Sequence, residues 1–77
     1  FVEVKIDEDL GIIKVKRVIE ATACGRIMNP KTSHSQEMGG VVWGIGMALQ
    51  EATEIDHRYG RMMTTDLASY HVPVNAD

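Results

Sequence analysis

The sequence has little of several residue types: one cysteine, one tryptophan, one phenylalanine and two prolines in 77 residues. A lone Cys24 excludes an internal disulfide and any CxxC or zinc-finger spacing, so it reads as a small buried hydrophobe. There is no basic excess either. Eight Lys and Arg are scattered among eleven Asp and Glu, a formal net charge of −3, so the basic stripe of a nucleic-acid surface is missing. No uncharged apolar run reaches the ~20 residues of a membrane span; the longest, Met38 to Leu49, reads as a core helix. No signal-peptide pattern opens the chain, and the expectation is a soluble protein of cytoplasm or periplasm.

Motifs of several chemistries are also missing. His34, His57 and His71 stand in three segments with no HxxxH or HxH spacing, so no metal site is expected. Neither G-x-x-x-x-G-K-[ST] nor G-x-G-x-x-G occurs, because the glycine cluster lies inside a helical pattern; nucleotide-phosphate cradling is unsupported. Ser33, Ser35 and Ser69 lack the G-x-S-x-G setting of a nucleophile elbow.

At 77 residues and 44% hydrophobic, the chain can just close one small core. It starts at Phe1 and stops at Asp77 within an extended pattern, which predicts a piece of a longer protein. Val2, Val4 and Ile6 alternate with Glu3, Lys5 and Asp7, the period of a half-buried strand. Glu8 to Gly11 then supplies a turn, and a partner strand begins at Ile12. Its alternation slips at Arg17 and Val18, which means either a bulge or burial on both faces. The uncharged run Ala21 to Cys24 favours burial on both faces.

Gly25 to Pro30 reads as a loop, with Pro30 suited to a helix's first turn. Ser33 and Ser35 are candidate caps, Ser33 pairing with Gln36. In the helix, Met38, Val41, Val42, Ile45, Ala48, Leu49 and Ala52 define the buried face, with Gln36, Gly40, Trp43, Met47 and Gln50 beside it. Gly39, Gly40, Gly44 and Gly46 each cost about 1 kcal/mol against Ala, so outside contacts must hold this helix. Gly40 and Gly44 would let a strand or a ligand come close. Asp56 to Arg61 reads as a polar turn, and Tyr70 to Val74, broken by Pro73, as an edge strand or an extended segment. The expected fold is α+β: a hairpin of residues 1–7 and 12–22, one long buried helix over 31–53, and an extended segment over 68–74, together part of a larger domain. Of the polar groups, Gln36 remains. Its amide offers a donor and an acceptor to a heterocycle or phosphate edge, and an anion is favoured at a helix start.

The runs CGRIMNP, SQEMGGVVWGIGMALQE and DHRYGRMMTTDLASYHVPVNAD, in that order and spacing, resemble the molybdopterin-binding large subunit of the xanthine dehydrogenase and aldehyde oxidase family, in the manner of its bacterial aldehyde or isoquinoline oxidoreductase branch. The resemblance covers essentially the whole chain. It implies that Gln36, matching the Gln of the family's G-Q-x-E-G-G motif, contacts the pterin cofactor, with Gly39 and Gly40 following it. Two positions depart from the pattern: Ser35 replaces a Gly, and Glu37-Met38 replaces a hydrophobe followed by Glu. The first narrows the room beside the cofactor, and the second moves a charge about 100° around the helix.

The resemblance further implies an oxidoreductase parent that oxidises aldehydes or N-heterocycles with water-derived oxygen at molybdenum. Electrons would leave through iron–sulfur clusters to FAD or another acceptor on other domains or subunits. The catalytic Glu and the cluster cysteines are expected outside these residues, so this piece alone would carry no catalytic or metal-ligating residue and bind no cofactor. The expected partners are the remainder of the large subunit and the iron–sulfur and flavin subunits. The alternative is a non-catalytic module, derived from such a subunit, that packs or oligomerises through its Gly40 and Gly44 face.

Overall fold

The computed structural model describes all 77 residues. Strands β1 (Val2–Asp7) and β2 (Ile12–Val18) precede helix α1 (Pro30–Leu49) and two short strands, β3 (Ile55–Asp56) and β4 (Arg61–Met62). The fold is α+β, with an antiparallel N-terminal hairpin, one helix and a second, small antiparallel pair. The chain divides into two units, residues 1–41 and 42–77, with α1 crossing the boundary.

In the first unit, the alternating pattern of Val2 to Asp7 forms a strand, and Gly11 (φ 66°) makes the turn that Glu8 to Gly11 encodes. Asp7 Oδ1 accepts the Leu10 amide at 3.0 Å inside that turn. The slip at Arg17 is a bulge, which corrects the expectation of burial on both faces. Val4 pairs with Val15 and Glu3 with Arg17, so Lys16 is the extra residue. The bulge puts Val18 opposite Val2, on the face of Val4, Ile6, Ile13 and Val15. Arg17 moves to the other face, where its guanidinium meets Glu3 at 3.2 Å. β2 ends at Val18 rather than at 22, because the ladder closes with the paired backbones of Phe1 and Ile19 and residues 20–24 run on without a partner strand.

Helix α1 starts at Pro30, where the ring's fixed φ suits the first helical position. Asn29 is its cap: its Oδ1 accepts the amides of Lys31 (3.1 Å) and Thr32 (3.3 Å). Ser33 and Ser35 therefore do not cap the helix, a second correction. The helix stops at Leu49, short of the expected 53, because both Gln50 and Glu51 donate their amides to Gly46 O (3.0 and 2.8 Å) and wind up the last turn. Ala52 falls beyond it. Met38, Val42 and Leu49 stay 42–55% exposed while Val41 and Ile45 are half-buried, so the expected buried face, whose apolar spacing holds, is only partly covered.

In the second unit, residues 54–64 form a hairpin that the sequence reading took as a bare polar turn. Met63 donates to Glu54 O (2.8 Å), Gly60 (φ 62°) to Asp56 O (2.8 Å), and Glu54 to Thr64 Oγ1 (3.3 Å). Residues 66–70 are a turn rather than extended chain. Ser69 Oγ and the Ser69 and Ala68 amides all donate to Asp66 Oδ1. Residues 71–74 run without regular structure. Gly46 is the one buried residue: a Cβ there would lie 2.7 Å from Pro73 Cδ, so the missing side chain admits the proline ring. Beside that contact, Tyr70 donates its hydroxyl to Glu51 Oε2 at 2.7 Å.

Candidate functional site

The loop before α1 turns at Gly25 (φ 78°), and the Asn29 cap fixes where it joins the helix. Between loop and helix lies an open recess of about 400 Å³, lined by Cys24, Arg26, Ile27, Met28, Asn29, Thr32, Ser33 and Gln36. Its composition follows from local geometry. Helical side chains lean toward the N-terminus, so Gln36 reaches back over the turn that carries Thr32 and Ser33.

Gln36 is not at the helix start, as the sequence reading had it. It is the seventh residue of α1, about 9 Å along the axis from Pro30. The first free amides lie at Lys31 and Thr32, and Asn29 already engages them, so an anion held by helix-start amides at Gln36 is not what this geometry offers. The Gln36 side chain is exposed and makes no hydrogen bond, leaving its donor and acceptor free. Gly39 and Gly40 lie outside the recess but on the same side of the helix, within about 60° of Gln36 around the axis. A Cβ at Gly39, Gly40 or Gly44 would meet nothing within 4 Å. The expected close approach at Gly40 and Gly44 is not made by any part of this chain; Gly46 makes one instead.

The two departures from the family motif have distinct outcomes. Ser35 stands about 100° from Gln36 and donates its hydroxyl back to Lys31 O at 3.1 Å, so it takes little from the Gln36 side. Glu37, half-buried, also lies off that side.

The surface here combines the Gln36 amide, a helix flank without side chains at Gly39 and Gly40, and the hydroxyls of Thr32 and Ser33. Sequence reasoning missed Arg26, Asn29, Thr32 and Ser33 as recess residues. The signals were the Gly25 and Asn29-Pro30 punctuation, which fold the loop onto the helix. Cys24 lines the recess and is exposed, correcting the expectation that it is buried; it lies past the end of the hairpin ladder, where nothing covers it. The three histidines are exposed, and no three His, Cys, Asp or Glu side chains converge. No helix is long and apolar enough to cross a membrane.

In the second unit, titration is perturbed at two groups. Hydrogen bonds from the Ser69 hydroxyl and amide, with one from the Ala68 amide, hold Asp66 below the usual carboxylate range. The hydrogen bond to Glu51, with desolvation and the Glu51 charge, pushes Tyr70 above the usual phenol range. Both describe how the C-terminal segment is held rather than a reactive centre.

Residues 1–77 match, over their whole length, the family described as the molybdopterin cofactor-binding domain. All of the chain is 44% identical to the aldehyde oxidoreductase molybdenum-binding subunit PaoC of Escherichia coli K12, covering 10% of that protein. Over 70 residues, 91% of the chain, it is 40% identical to the nicotine 6-hydroxylase large subunit of Paenarthrobacter nicotinovorans, covering 8% of it. Over all 77 residues it is 32% identical to a putative xanthine dehydrogenase molybdenum-binding subunit, XdhA, of Escherichia coli K12, again covering 10%. The chain spans about a tenth of the length of these relatives.

Proposed function

The chain belongs to the molybdopterin cofactor-binding domain family, within the xanthine dehydrogenase and aldehyde oxidoreductase type, and from that premise we propose that it forms one wall of the pterin site in its parent. Gln36 supplies an amide to the heterocycle's edge, and Gly39 and Gly40 leave the helix flank bare beside it. The observation that carries this reading is the unengaged Gln36 amide next to two glycines with open space where side chains would be. In the parent, the proposed reaction is oxidation of an aldehyde or an N-heterocycle. The cofactor, when bound, supplies transfer of a water-derived oxygen and takes up two electrons. The residues of this chain bind and orient; none is assigned a proton-transfer role. The remainder of the large subunit covers the apolar flank of α1 and the apolar face of the β1–β2 hairpin, and iron–sulfur and flavin subunits receive the electrons.

The test is Gln36→Ala in the full-length parent, with molybdenum per polypeptide measured after purification. The expected result is a loss of roughly five- to tenfold in retained cofactor, as for one hydrogen bond to a desolvated partner, with an unchanged unfolding temperature. Wild-type molybdenum content would remove Gln36 from the site.

The uncovered apolar surface supports a second reading, a module that only packs or oligomerises. That reading requires the 77 residues alone to form a stable oligomer, read by analytical ultracentrifugation, and Gly40→Leu to disrupt it. A parent that carries molybdenum and loses it on Gln36→Ala excludes this reading.

A further inference from the structure

We draw no further inference here: the strongest candidate, the exposed apolar face of the β1–β2 hairpin formed by Val2, Val4, Ile6 and Ile13, carries nothing because nothing in the structure shows what covers it.

Discussion

The two units of this chain are held together by opposite means. Residues 1–41 owe their form to backbone rules: an alternating hairpin, a glycine turn and an Asn-Pro helix start, with no contact between the hairpin strands and α1. Residues 42–77 have a weaker pattern and shorter strands, yet they contain side-chain contacts between segments that are distant in sequence: Pro73 on Gly46 and Tyr70 on Glu51, beside the local Asp66 turn. Strong local encoding and tertiary contact are thus separable. Apolar side chains stay exposed in both units, Val4 and Ile6 in the first and Trp43 and Leu67 in the second, but only the second buries a residue, Gly46.

The sharpest way to break this contrast is at the glycines of α1. Gly46→Ala would place a Cβ within 2.7 Å of Pro73 Cδ, and a proline ring yields less easily than the flexible Glu51 carboxylate that lies equally near. The expected cost is about 1–3 kcal/mol, as for an overpacked contact, with faster amide hydrogen exchange over residues 69–72. Gly44→Ala, in open space, should instead stabilise the 77-residue chain by up to about 1 kcal/mol through helix propensity. Denaturant unfolding of the two variants checks the opposite signs; equal signs would dissolve the contrast.

A smaller effect is expected in the first unit. Asn29→Ala removes the acceptor for two helix-start amides and should cost about 1 kcal/mol. Circular dichroism would show fraying of the first turn of α1, while hydrogen exchange over residues 54–64 stays unchanged.

The smallest effect is a pH signature confined to the second unit. Because the Tyr70 pKa is raised in the folded chain, its contact with Glu51 stabilises fully below the ordinary phenol pKa of about 10 and is lost as pH rises through the folded value. Asp66 is lowered, so its turn contributes above the ordinary carboxylate pKa of about 3.9 and is lost as pH falls through the folded value. Ultraviolet titration should show the Tyr70 step above the ordinary phenol range, absent in Tyr70→Phe and moved earlier in Glu51→Gln.

These differences also decide how much was legible beforehand. The α+β order, the first hairpin and the helix follow from periodicity, and that is where reading succeeds. The helix start stays open between Pro30 and Ser35 in the sequence, because Pro30 and the capping-box spacing of Ser33 to Gln36 compete; the Asn29 side chain decides for Pro30. β3 and β4 offer two residues each, too few for any alternation to show. Gly46 cannot be told from Gly39, Gly40 and Gly44 by spacing, since what distinguishes it is Pro73, which lies 27 positions further on. Gln36 stands out in the sequence by its amide near the helix entry and then by the family motif, whereas Arg26 does not, because its place beside the same recess exists only once the loop folds onto the helix.

The bulge at Lys16 has a consequence for how this hairpin tolerates change in length. With Lys16 looped out of the pairing, the residues on either side keep the faces they would have in a regular ladder one residue shorter. A chain lacking that lysine could therefore present the same valines and isoleucines to the same side. The hairpin absorbs an insertion of one residue at this point without turning itself inside out.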